Sequence, residues 1–180
     1  MIPRYLKSFF LIVGAAAMAA TAALAETPPT LSLEWQTVVN NNTVMPEVNC
    51  SEPRTFNSYN QPSVNAAGLV VIRARSKGGP PCGPATHGIY TRDMSVAGSE
   101  AVRILDRTAP FVPYPNNLET RFVETPSFPR IDIRSDTVAT RGNHPPVWRY
   151  GQADDETRAG TTGIYANPFG DLITLSLIHI

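Results

Sequence analysis

The sequence predicts an all-β protein built as two four-stranded antiparallel meanders in tandem. Three observations point there. Seventeen Pro and twelve Gly in 180 residues interrupt the chain too often for long helices. Short runs rich in Val, Ile, Leu, Thr and Tyr alternate with Gly, Asn, Asp and Ser turns, the pattern of a meander. The tripeptide Gly-Ile-Tyr occurs at Gly88 and again at Gly163, with the flanking segments in the same order each time.

Taken in order, residues 1–25 read as an export signal. Arg4 and Lys7 precede an apolar stretch from Phe9 to Ala20, and Ala23-Leu24-Ala25 supplies the small residues of a peptidase site before Glu26. A membrane anchor is the competing reading, and the segment is short and Ala-rich for that role. No Cys follows the cleavage site, so a lipid anchor is not indicated. Residues 26–61 read as an N-terminal strand and connector, with Leu31 to Val39 as the strand and Asn40 to Pro46 leading away from it.

The first repeat spans residues 62–124. Its four runs are Pro62 to Gly68, Leu69 to Arg75, Gly88 to Thr91 and Ala101 to Asp106, and Arg107 to Glu124 is a Pro-rich connector. The second spans 125–180, with runs at Pro129 to Ile133, Thr137 to Thr140, Gly163 to Ala166 and Asp171 to Leu175. Equivalent residues lie 67 to 75 positions apart. Leu69 to Ala74 is almost continuously apolar, which implies a sheet covered on both faces. One four-stranded sheet cannot bury two apolar faces alone, so the sheets should stack as propeller blades do. Two sheets do not close a propeller, and the piece is expected to be incomplete, with Leu31 to Val39 able to complete a last sheet. The tail Ser176 to Ile180 resembles translated adapter sequence.

The turn Asn65-Ala-Ala-Gly68-Leu-Val-Val71-Ile72 resembles the N-x-x-G-x-x-A-F motif of bacterial exported tandem-repeat proteins, with conservative changes at its last two positions. In the second copy Asp132 stands for the Asn, Ser135 or Asp136 for the Gly, and Ala139 is kept if one extra residue is allowed. The resemblance implies a propeller-like repeat protein with no established catalytic activity, and it supplies no catalytic residues. Physically, the motif is a tight turn in which Asn and Gly supply positive φ.

Charge and motif content narrow the function classes. The formal net charge is zero, and removing Arg4 and Lys7 leaves 13 basic against 15 acidic side chains, which offers no footprint for nucleic acid. No later stretch is long and apolar enough to span a membrane. No G-x-S-x-G, H-E-x-x-H, P-loop or Rossmann pattern occurs, so the chain reads as non-catalytic and free of cofactor or metal. His87 and His144 read as loop hydrogen-bonders, and His179 lies in the doubtful tail. Asp154-Asp155-Glu156 reads as a solvated acidic loop in preference to a calcium site. Asn41-Asn-Thr43 and Asn49-Cys-Ser51 match the glycosylation sequon, with little meaning behind a bacterial type of signal.

Export places Cys50 and Cys82 where a disulfide persists, with free thiols or a metal pair as the alternatives. In a meander, the loops after the second run and the connectors after the fourth emerge at one end. Cys50, Cys82, Trp148 and Tyr150 should therefore share a rim. Trp148 and Tyr150 with Asp154 and Asp155 form a candidate ligand rim, aromatic faces for sugar C–H groups and acids for hydroxyls. Simple loop packing is the competing role for the two aromatics. The sequence thus points to a secreted or periplasmic module that binds a glycan or protein ligand, or scaffolds. The rival is a fragment of an exported propeller enzyme, a lyase or hydrolase, with its catalytic groups on further blades.

Overall fold

The structure, a computed structural model, describes residues 32–46, 50–114, 120–145, 147–148, 158–159 and 162–178. The export-signal reading of residues 1–25 lies outside them. The described chain is all-β, with antiparallel pairing throughout and no helix.

The first sheet contains β1 (Phe56–Tyr59), β2 (Ser63–Val64), β3 (Leu69–Ser76), β4 (His87–Asp93) and β5 (Val102–Asp106). β1 pairs with the end of β3 and β2 with its beginning, so the two short strands lie end to end along one edge; β4 and β5 follow on the other side. The second sheet contains β6 (Arg130–Ile131) and β7 (Val138–Asn143), followed after a small hairpin by β10 (Thr162–Phe169) and β11 (Asp171–Ile178). The hairpin is β8 (Val147–Trp148) paired with β9 (Arg158–Ala159). The order β6, β7, β10, β11 across the second sheet matches the order β2, β3, β4, β5 across the first.

The correspondence extends to detail. Ala74 pairs with Gly88 in the first sheet, and Gly142 with Gly163 in the second. The β4–β5 register slips between Ile89 and Tyr90, and the β10–β11 register slips between Ile164 and Tyr165, so each last strand bulges at the same place. Tyr90 meets Phe56 edge to face at 5.2 Å, and Tyr165 meets Phe122 edge to face at 4.9 Å. Gly88 and Gly163 precede these tyrosines by two residues on the same face, and the rings fold back over them. A Cβ would lie 2.7 Å from the Tyr90 hydroxyl at Gly88 and 2.6 Å from the Tyr165 hydroxyl at Gly163. Gly-Ile-Tyr is therefore a packing device: the glycine makes room for its own tyrosine.

Alternation along the strands gives the first sheet two apolar faces, as its continuous apolar run predicts. Phe56, Val70, Ile72, Ala74 and Tyr90 face Met45, Val38 and Val39 of the preceding segment. Val71, Ile89 and Leu105 face the other way and share a core with Val112, Phe122, Val138 and Tyr165. This second cluster joins the two sheets. Each large side chain fully buried in it contributes about 1.5–3 kcal/mol relative to exposure.

Two expectations fail. Residues 32–39 form no strand, and Trp35 is 92% exposed, because among the described residues no strand lies alongside to take their backbone hydrogen bonds. In addition, the connector assigned to 26–61 ends in a strand of its own, β1, held by the upper half of β3.

Candidate functional site at the loop-bearing end

The β3–β4 loop and the two connectors emerge at one end of the first sheet. Cys50 of the incoming connector is disulfide-bonded to Cys82 of that loop, with Cα atoms 5.4 Å apart. This confirms that the two segments share a rim. Arg54 ties the same segments together from within. The residue is 8% exposed, and its guanidinium donates to Thr86 Oγ1 at 2.9 Å, Ser76 Oγ at 3.3 Å, the Pro84 carbonyl at 2.8 Å and the Cys82 carbonyl. Buried Arg suits this role because its planar fork reaches several acceptors at once.

Beside it, the last residue of β5 organises the outgoing connector. Asp106 is fully buried, and its Oδ1 accepts from the Thr108 amide at 2.6 Å, the Thr108 hydroxyl at 2.6 Å and the Ala109 amide at 3.0 Å. Oδ2 faces the Tyr90 hydroxyl at 3.4 Å and Arg103 at 3.5 Å. The carboxylate is consumed by structure, as a buried charge must be. Arg107, next in sequence, donates to the Ala85 carbonyl at 3.1 Å. Arg54, Thr86, Arg107 and Thr108 line a cleft of about 230 Å³ under the disulfide-bonded loop.

His87 opens β4 at this end. Its pKa is held below the ordinary imidazole value, first by burial and then by the Arg73 and Arg107 guanidiniums, with Arg75 adding to the effect and Glu124 opposing it. His87 Nδ1 is buried and has no hydrogen-bond partner among the described residues. His144 lies in the connection that follows β7, where its Nδ1–H donates to the Pro145 carbonyl at 3.0 Å, the local hydrogen-bonding role expected of it.

The turn motif sits at the opposite end, before β3. Gly68 has φ +92°, the left-handed conformation the motif requires. Asn65 acts through its side chain: Oδ1 accepts from the Ala67 amide at 3.1 Å and the Leu69 amide at 2.9 Å, closing the turn. Asp132 does the same in the second sheet, accepting from the Arg134 amide at 2.8 Å.

Of the candidate ligand rim, Tyr150, Asp154 and Asp155 lie outside the described residues. Trp148 is placed by its backbone in β8, opposite Arg158, within the connection from β7 to β10. Sequence reading missed Arg54 and Arg107 as organisers of this end. The available signal was the change from an apolar run to alternating Arg73 and Arg75 at the end of β3, which marks where one face leaves the core. Among the described residues, no group of three or more His, Cys, Asp or Glu side chains gathers closely enough to hold a metal, and no helix is long and apolar enough to cross a membrane. A wider crevice of about 460 Å³ lies between the Thr43–Pro46 segment and the β4–β5 turn, with Arg92 and Glu100 as its charged groups. No protein family, curated protein or solved structure matches the chain.

Proposed function

We propose that the chain is an exported, non-catalytic module of tandem β repeats that binds a ligand or scaffolds at the cell surface or in the periplasm, its sheets stacking face to face as blades do. The matched Phe56–Tyr90 and Phe122–Tyr165 pairs, each over its own glycine, carry this reading. A stacking unit copied in tandem needs the same internal support in every copy. The disulfide-bonded pair is compatible with an oxidising, exported location. The Asn65 and Gly68 turn supports membership in the exported tandem-repeat family with the N-x-x-G-x-x-A-F motif. Ligands are assigned to the connection from β7 to β10, whose short strand β8 includes Trp148, a residue type suited to stacking on a sugar ring.

A glycan array tests the assignment when paired with assays for new reducing ends and for unsaturated sugar products. The module should retain a subset of glycans, lose them on Trp148→Ala, and release no product. Product release would overturn the non-catalytic reading in favour of a propeller-enzyme fragment. Binding that survives Trp148→Ala would remove the aromatic rim.

A further inference from the structure

The loop-bearing end of the first sheet concentrates positive charge on one face. In the β3–β4 register Arg75 is directly opposite His87, and Arg73 is opposite Ile89. In the β4–β5 register Gly88 is opposite Asp106, so continuing by one residue sets Arg107 beside His87. Alternation then puts Arg73, Arg75, His87 and Arg107 on the face that carries Val71, Ile89 and Leu105 lower down. Three arginines thus surround one imidazole.

Like charges on directly opposed strand positions repel, and a row of this kind needs compensation. One carboxylate supplies part of it: Glu124 lies 3.5 Å from Arg73, whose Nε also donates to the Thr125 carbonyl. Asp106 does not help, because it belongs to the opposite face with Tyr90 and is taken up by the Thr108 and Ala109 amides. Arg107 holds one backbone carbonyl and otherwise borders the 230 Å³ cleft with Thr86, Thr108 and Arg54. The chain as a whole is neutral, so this local excess of cation is a feature of placement and not of composition. The disulfide at Cys82 fixes the loop over the cleft, which reduces the ordering cost of binding.

We propose that this end of the first sheet is an oxyanion-binding site, with Arg107 as principal ligand and Arg75 on the same face, on the other side of His87. The ligand is a carboxylate, sulfate or phosphate group, either as a free ion or as a substituent of an acidic glycan. Guanidinium forks match the planar or tetrahedral oxygens of such groups. Bound negative charge opposes the arginines around His87, so binding raises the affinity of its imidazole for a proton. The site depends on Arg107 and not on Trp148, to which the role proposed above is assigned.

The test is an NMR titration of the His87 ring protons in the intact chain, with inorganic phosphate, sulfate, galacturonate and oligogalacturonate against a chloride control of equal ionic strength. Saturable shifts are expected with the oxyanions, accompanied by an upward move of the His87 titration midpoint. Arg107→Gln should weaken phosphate binding by about tenfold, and Arg134→Gln, at the far end of the second sheet, should leave it unchanged. If Arg107→Gln fails to fold by far-ultraviolet circular dichroism, Arg75→Gln serves in its place. Oligogalacturonate binding well above galacturonate identifies an acidic glycan; equal binding identifies a free oxyanion. Identical His87 titrations in phosphate and chloride, or equal binding by the Arg107→Gln and Arg134→Gln proteins, would overturn the site. A failed titration leaves the Trp148 array result standing, so the two readings fail separately.

Discussion

The Asn65 side-chain amide donates to Asp136 Oδ1 at 2.9 Å and to the Ser135 carbonyl at 3.0 Å, joining residues 71 and 70 positions apart. Its Oδ1 meanwhile closes the Asn65–Leu69 turn. One side chain therefore shapes the entry to β3 and fastens the first sheet to the corresponding turn of the second, where the Ala66 amide adds a bond of 2.9 Å to the Ile133 carbonyl. Asn65→Asp keeps the acceptor, loses both donors and faces Asp136 with a second carboxylate. It should destabilise the fold by about 1–3 kcal/mol at neutral pH, measured by urea denaturation, whereas Asp132→Asn should be close to neutral.

The two glycines under the tyrosines should differ. At Gly88 a Cβ meets the Leu105 carbonyl and the Asp106 Cβ, both at 2.6 Å, as well as the Tyr90 hydroxyl. At Gly163 the nearest atoms are the hydroxyl and ring of Tyr165, at 2.6 to 2.9 Å. Backbone cannot give way as a ring can, so Gly88→Ala should cost about 1–3 kcal/mol and Gly163→Ala less. Thermal unfolding of the two variants checks the order.

The two tyrosines should also respond differently to loss of the hydroxyl. Tyr90 faces Asp106, while the Tyr165 hydroxyl is buried with no hydrogen-bond partner among the described residues. Burial pushes the Tyr165 pKa up to about 12. Its folded value lies above the unfolded one, so its contribution to stability is present below pH 10 and fades as pH rises through about 12. Tyr165→Phe should be neutral or stabilising and should remove this alkaline dependence. Tyr90→Phe should destabilise by about 1 kcal/mol.

Reduction of the Cys50–Cys82 bond opens a loop whose ends are 32 residues apart. Chain entropy puts the cost at about 3–4 kcal/mol. The Cys50→Ser, Cys82→Ser protein should melt earlier than the oxidised chain and at the same temperature as the reduced one. A melting point unchanged by reduction would show that the Arg54 bonds to Thr86 and the Cys82 carbonyl hold the loop without help.

His87 gives an acid-side signature. Its folded pKa lies below the unfolded value of 6.5, so its contribution to stability is complete above pH 6.5 and is lost as pH falls through the folded value. His87→Gln should flatten the stability profile below neutrality, leaving the profile above it unchanged.

The strands legible in the sequence are those whose side chains declare their own environment. Leu69 to Ala74 and Gly163 to Ala166 carry enough β-branched and aromatic residues to specify a strand wherever they pair, and Cys50 with Cys82 needed only an oxidising space. β1 was illegible because Phe-Asn-Ser-Tyr has no run or alternation of its own; it is a strand because the end of β3 offers it an edge. Leu31 to Val39 misled for the converse reason, since a β-prone composition without a neighbour leaves Trp35 in solvent. Phe56 and Phe122, 66 positions apart, with Met45 and Val112, 67 apart, are the sequence signal that extending the internal comparison upstream would have found. The cationic row needed the register: Arg75, His87 and Arg107 are scattered along the chain and become neighbours only when three strands align.

The stacking of one sheet's Val71, Ile89 and Leu105 face on Val138 and Tyr165 of the other, with Phe122 of the connector between them, is tested most directly by methyl NOE spectroscopy on selectively labelled protein. Contacts are expected from the Val71, Ile89 or Leu105 methyls to the Val138 methyls or the Phe122 and Tyr165 rings, all shielded from a soluble paramagnetic relaxation agent. If those three residues show only contacts within their own sheet and their methyls broaden with the agent, the two sheets do not stack through this face.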